Sequence, residues 1–293
     1  MGFNYSSQPL VTVVRLQGVI TPSTTPVRGP AARRVINLER AEKWLKLAFN
    51  PLLKQRAVAI AINSPGGAAA QADLLHRAIR SHAEKTRLPV YTFTEDVAAS
   101  GGYWLMCAGD KIFACNTSLV GSIGVVNAGF GAQELIKKLG IERRLFTAGE
   151  EKALLDPFKP VEPKDAQRVQ ELLNDVHNSF KDLVKQSRGS KLSGDEKELF
   201  SGRVWTGRQA VKLGLVDQID DMHTALRREF GREVQFLQCS PSATPGFADM
   251  FFGGSSNLRA RFATPDVYSA ARSATQAFLD EVDERTLMAR YGL

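Results

Sequence analysis

Cysteine is scarce in these 293 residues: Cys107, Cys115 and Cys239 are the full complement, and no C-x-x-C pair occurs. An odd count without paired spacing excludes a disulfide-built scaffold and predicts three reduced thiols that act as small buried hydrophobes. No run approaches the roughly 18 consecutive apolar residues that span a bilayer. The N-terminus lacks the charged-then-apolar order of a secretory signal. Acid is missing from residues 1–38, a trait of transit peptides, but Leu10–Leu16 reads as a core strand whose removal would damage the fold. The four histidines, His76, His82, His177 and His223, are dispersed, and neither they nor the cysteines have metal-ligand spacing. A G-x-x-x-x-G-K-S/T phosphate loop is also missing, so any ATP use would require a partner. These absences predict a chain with no metal and no cofactor, in a reducing intracellular compartment, cytoplasmic or organellar. Met1-Gly2 with Ser6 fits the minimal myristoylation pattern, but one acyl chain binds membranes only marginally, so membrane contact is expected to be peripheral at most.

A hydrophobic content of 43% and a charged content of 24% are those of a globular chain able to bury a large core. The net charge of +7 arises from Lys and Arg interleaved with Asp and Glu, without the aromatic-basic signature of a nucleic-acid module, and no nucleic-acid partner is expected.

Strands and helices alternate. Leu10–Leu16 is rich in β-formers, and Asn37 can cap a helix whose Leu38, Ala41, Leu45 and Ala48 share a face. Ala57–Ile62 is a short, wholly apolar run, the pattern of a strand covered on both faces in a parallel sheet. A helix through about Glu84, a strand at Pro89–Thr94 and a helix opening at Ser100 come after it. Next are an expected strand around Ser122–Val126, a helix at Ala132–Leu139 and a strand at Glu142–Phe146. This alternation predicts a layered α/β fold.

From Pro163 to Arg188 the chain reads as one helix, with Val169, Leu172, Leu173, Val176, Phe180, Leu183 and Val184 on a stripe and Gly189 just past its end. Ser193 with Glu196, and Thr206 with Gln209, are expected capping boxes. Residues 240–263 read as a linker, although Met250, Phe251 and Phe252 are unusually apolar for one. Residues 264–293 read as a helical extension whose apolar face could pack on its own core, on a neighbouring subunit or on a membrane surface. The expected catalytic unit is residues 1–239.

Two glycine-rich turns each come directly after an expected strand. In Asn63-Ser64-Pro65-Gly66-Gly67 the paired glycines allow close backbone approach, and their N–H groups can face a developing oxyanion; a plain strand-to-helix turn reads equally well. In Ala98-Ala99-Ser100-Gly101-Gly102-Tyr103, Ser100 can serve as a nucleophile at a helix N-terminus or as an ordinary N-cap. A serine nucleophile requires a base. The histidines fall in expected helices rather than in glycine-rich turns, which leaves a Ser-His-Asp triad without support. A lysine can act instead, provided burial populates its neutral form.

The runs Ile60-Ala61-Ile62-Asn63-Ser64-Pro65-Gly66-Gly67 and Asp96-Val97-Ala98-Ala99-Ser100-Gly101-Gly102-Tyr103-Trp104 resemble the signal peptide peptidase A family. So do Gly121-Ser122-Ile123-Gly124-Val125, Thr147-Ala148-Gly149-Glu150-Glu151-Lys152, and the block from Gly202 to Asp217, all in the family's order across about residues 10–225. The resemblance implies the spiral α/β fold of the Clp protease proteolytic subunit and the crotonases, and a Ser-Lys dyad. It implies Ser100 as nucleophile, Lys152 as general base, Ser122 as the serine that orients the lysine, and the backbone N–H groups of Gly67 and Gly101 as the oxyanion hole. It further implies a homo-oligomeric ring in which serine and lysine can come from adjacent subunits, acting on signal-peptide remnants, peptides or unfolded segments. Two other readings share this layout: a crotonase-type acyl-CoA enzyme, and a non-catalytic scaffold.

Overall fold

The computed structural model describes residues 8–22, 35–149 and 151–240; the expected terminal helix and nearly all of the expected linker lie outside these. Eight strands among those residues form one sheet. β1 (Leu10–Gln17), β4 (Ala57–Ser64), β5 (Val90–Ala99), β6 (Lys111–Ala114), β9 (Gln218–Ile219) and β10 (Gln235–Gln238) pair in the order β10-β1-β4-β5-β6-β9, every pair parallel. β7 (Leu119–Gly121) continues along β5, and β8 (Val204–Thr206) lies antiparallel to β7. The expected mixed α/β architecture with a mostly parallel sheet is the one found. β2 (Val19–Ile20) pairs separately with β3 (Val35–Ile36).

β4 shows why the run Ala57–Ile62 is apolar throughout. Its larger residues, Val58, Ile60 and Ile62, join the main core with α1 (Leu38–Ala48) and α2 (Ala69–Thr86). Its alanines 57, 59 and 61 face the other way, toward α8 (Met222–Phe230) and the side chains of Met222, Ala225 and Leu226. Both faces are buried along its whole length, as expected for a central parallel strand. Asn37 caps α1 by accepting from the Arg40 N–H at 3.1 Å. The Thr206–Gln209 capping box opens α7 (Gly207–Lys212).

Four sequence expectations are corrected. The strand placed at 122–126 is β7, ending at Gly121, because φ of +101° at Gly121 and +51° at Ser122 breaks the extended backbone. Residues 142–146 pair with no strand and are largely exposed; alternation in sequence makes no strand without a sheet edge to receive it. Ser193 does not cap α6 (Glu196–Leu199): Asp195 does, accepting from the Lys197 N–H at 3.2 Å. Of the cysteines, Cys107 and Cys239 are buried, but Cys115 is exposed. Burial pushes the Cys107 thiol up to about 12, which makes it inert.

α5 (Pro163–Arg188) runs as expected and ends at Gly189, yet only its last third is fully docked, through Phe180, Val184 and Arg188. The anchor is ionic. Arg188, with a side chain only 1% exposed, donates to both carboxylate oxygens of Asp217 (3.0 and 2.9 Å) and to the Gly214 carbonyl at 2.8 Å. Asp217 also accepts from Lys191 at 2.7 Å and from the Ile112 N–H at 2.8 Å. Burial opposes ionisation of Asp217, but the hydrogen bonds from Arg188, Lys191 and Ile112 outweigh it and hold the carboxyl at about 2.

Replacing Asp217 with Ala leaves Arg188 buried and unpaired, and is expected to cost about 3–5 kcal/mol in urea unfolding at pH 7. Because the folded carboxyl titrates below its ordinary value, its contribution is complete above about pH 4 and is lost as pH falls toward 2. The gap between wild type and Asp217→Ala should therefore narrow over that window.

Candidate active site

β4 and β5 end side by side, and the two glycine-rich turns meet there. Ile62 pairs with Thr94, and Ser64 pairs with Ala98, so β5 advances four residues while β4 advances two. Such a bulge bends the strand and re-aims the residues after it. Asn63 bridges the irregularity: its amide donates to Asp96, and its Oδ1 accepts from the Val97 N–H at 3.3 Å.

Ser100 comes next after β5, at φ +51°, ψ −121°, a conformation an L-residue holds only under constraint. Its N–H donates to the Gly121 carbonyl at 2.8 Å, and its carbonyl accepts from the Trp104 N–H at 3.0 Å, starting α3 (Gly101–Met106). The Ser100 hydroxyl does not cap that helix and has no hydrogen-bond partner among the described residues. Ser100 thus stands at the N-cap position of α3, but its side chain does no capping.

Gly66 lies behind the serine. A Cβ there would sit 2.8 Å from the Ser100 Cβ and 2.9 Å from the Ala99 carbonyl, and φ is +107°. Only glycine permits that approach. At Gly67 the backbone is held by β2: the Ile20 N–H donates to the Gly66 carbonyl, and the Ala68 N–H donates to the Ile20 carbonyl, both at 2.8 Å. In that parallel pattern the intervening residue turns its own N–H away from the partner strand. The Gly66 N–H is taken up by Ser64 Oγ at 3.2 Å. Gly67 is thus the member of the first pair with an available donor. In the second pair, Gly102 packs on the Ser64 carbonyl, whereas Gly101 lines the cleft.

That cleft encloses about 430 Å³ and is lined by Gly67, Ser100, Gly101 and Ser122, with Trp104 and Phe180 among its walls. Ser122 stands just past β7 as Ser100 stands just past β5, and Ala99 pairs with Gly121, so the two serines emerge from neighbouring parallel strands about 4.8 Å apart. Ser122 has φ +51°, and its N–H donates to the Arg203 carbonyl at 2.8 Å. Among the described residues, no Asp, Glu, Lys, Arg or His lines the cleft.

Lys152 is not brought to it. It is exposed, in a turn over residues 151–155, with its N–H on the Gly149 carbonyl at 3.2 Å. The structure therefore unites four of the five expected site residues in one copy and leaves out the lysine. The histidines are committed elsewhere: His82 stacks on Phe49, His177 Nε2 lies 3.1 Å from the Ile123 carbonyl, and His223 meets Phe236 edge-on. Burial lowers the pKa of His76, on α2. Among the described residues, no group of three or more His, Cys, Asp or Glu is placed to hold a metal ion.

Trp104 and Phe180 were not singled out for the site by sequence reasoning. One signal was available for Trp104, which stands four residues after Ser100, one turn into the helix that the serine opens. Phe180, 80 positions away, had none.

The family model for peptidase family S49 matches residues 82–231, just over half the chain, and the chain belongs to that family. Within it, the chain falls with the signal peptide peptidase A proteins. It is 34% identical over 221 residues to the chloroplastic serine protease SPPA of Arabidopsis thaliana, covering 74% of this chain and 31% of that one. It is 31% identical over 201 residues to a putative signal peptide peptidase SppA of Enterococcus faecium, covering 68% and 58%. It is also 46% identical over 231 residues to a Brucella abortus protein named Na(+)/H(+) antiporter NhaA, covering 79% of this chain but 30% of that protein. The chain thus spans less than a third of the Brucella and Arabidopsis proteins. No helix among the described residues is long and apolar enough to cross a membrane.

Gly66→Ala should displace Ser100 by the missing few tenths of an ångström and more. In the peptidase reading proposed below, turnover of a peptide substrate is expected to fall about 100-fold, with the circular dichroism spectrum retained.

Proposed function

We propose that this chain is a serine endopeptidase with Ser100 as nucleophile and Lys152 as general base. The observation that carries the reading is an uncommitted Ser100 hydroxyl, presented on a constrained turn to an uncharged cleft. In the first step the Ser100 Oγ bonds to the scissile carbonyl carbon while its proton passes to the neutral Lys152 amine. The carbonyl oxygen takes the electron pair and is met by the Gly67 and Gly101 N–H groups. Collapse breaks the C–N bond, and the leaving amine takes the proton from Lys152. Water then attacks the acyl-serine carbonyl and gives its proton to Lys152; collapse breaks the bond to Ser100 Oγ, which takes that proton back as the acid leaves. Ser122 is the group that orients the lysine.

In this reading the dyad is completed between copies of the chain. Lys152 lies on an arm, residues 125–162, that exposes Phe130 (94%) and Phe146 (93%) together with Leu135, Leu139 and Ile141. Large apolar side chains grouped in water mark a surface that another protein covers. Seating this arm against a neighbour's cleft would desolvate Lys152, the condition for a neutral amine near pH 7. A head-to-tail contact that closes generates a ring of copies, each supplying its lysine to the next. The name of the Enterococcus relative supports signal-peptide remnants as substrates; unfolded segments are the other substrate class of this reading.

The test is casein cleavage by wild type, Ser100→Ala and Lys152→Ala from pH 6 to 10. Both variants are expected to lose about 10⁴-fold in rate. The wild-type rate should rise with pH across this range, as expected where the general base must be deprotonated. Mixing the two inactive variants should restore about a quarter of the sites, since each functional site then draws its serine and lysine from different copies. Activity surviving both substitutions overturns the assignment, and no recovery on mixing places both groups in one copy.

A further inference from the structure

The cleft beside Ser100 has a second hollow behind it, about 400 Å³ in volume, between α2 and α5. Both are lined by Ala69 and Trp104. On α5, Phe180 faces the cleft, whereas Val176, Ser179 and Leu183 face the hollow. Trp104 is 5% exposed and stacks on Phe180, with ring centroids 4.7 Å apart and 27° between the planes. The stacked pair therefore stands as a wall between the two spaces. The spaces differ in kind: among the described residues no ionisable side chain lines the cleft, whereas Asp73, Arg77 and Asp182 line the hollow.

The wall stands close to the reacting atom. Trp104 is four residues from Ser100, and its N–H closes the first turn of α3 on the Ser100 carbonyl at 3.0 Å. Ser100 and Trp104 line the same cleft of about 430 Å³. A carbonyl carbon within bonding reach of the Ser100 Oγ thus has its own side chain beside the Trp104 indole.

We propose that Trp104 is the specificity-determining residue of this site. Its indole ends the pocket that receives the substrate side chain on the acyl side of the scissile bond. Phe180 acts through it, as a positioning residue, by holding the ring. Removing the indole joins the cleft to the hollow and admits side chains that the wild type excludes by length. This inference rests on Ser100 as nucleophile.

The experiment uses the full chain and a peptide series that differs only at the residue before the scissile bond: alanine, leucine, phenylalanine and naphthylalanine. The readout is kcat/KM for naphthylalanine divided by that for alanine, a ratio taken within each protein and so independent of the fraction folded. It is expected to rise at least tenfold in Trp104→Ala, and by a smaller factor in Trp104→Leu and Phe180→Leu. A ratio unchanged in all three variants overturns the proposal. The same peptides are also titrated against Ser100→Ala and Ser100→Ala/Trp104→Ala by fluorescence polarisation. If the wild type hydrolyses none of them, the peptidase reading fails, yet an affinity ratio that rises on loss of Trp104 still upholds the partition. A flat affinity ratio, or no binding to either protein, overturns it.

Discussion

The backbone of Ser100 is the constraint on which the site depends. A φ of +51° with ψ of −121° costs an L-residue on the order of 1–3 kcal/mol and persists only where surroundings over-determine it. Three neighbours do so. The Gly121 carbonyl holds the Ser100 N–H, the first turn of α3 holds its carbonyl, and Gly66, having no Cβ, leaves the space that the Ser100 Cβ occupies. Each neighbour belongs to a different element, so the conformation is a product of the β4–β5–β7 pairing and of no single turn. The bulge before Ser100 has the same logic: it gives up regular ladder bonds between Ile62 and Ser64 to turn the strand end toward the cleft.

The second organising feature is the uneven docking of α5. Its C-terminal end is tied down by the buried Arg188–Asp217 pair, whose carboxylate also accepts from the Ile112 N–H at the start of β6. Removing one partner of such a pair is costly because the other stays buried and charged. That anchor places Phe180 against Trp104 and so shapes the cleft wall. Farther toward its N-terminus the same helix leaves its apolar stripe partly in water, with Leu172 49% exposed. The stripe from Val169 to Val184 is continuous in sequence, but one copy of the chain covers only its last part.

Much of the fold was legible. β4 announced itself because a strand buried on both faces needs no polar alternation, and α1 because Asn37 and the spacing of Ala41, Leu45 and Ala48 act within one turn of the chain. The strand expected at 142–146 failed for the complementary reason. A strand is stabilised by a neighbour, and local alternation does not say whether one is present. The misplaced capping box at Ser193 is a smaller case: the helix starts at Glu196, so Asp195, the residue directly before it, is the cap.

By itself the sequence determined the elements with local causes: the capped helices, the buried strand and the two glycine-rich turns; Ser122 and Lys152 entered as site candidates only through the family resemblance. Only the tertiary structure decided which of them meet. It chose Gly67 over Gly66 as a donor because Ser64 occupies the Gly66 N–H, and it took Ser100 out of a capping role by fixing a backbone from which its hydroxyl caps nothing. It set the two serines on adjacent strand ends, and it left Lys152 outside the cleft of its own chain. These outcomes depend on contacts between residues tens of positions apart, and such contacts are settled by how the sheet pairs and which helix covers it.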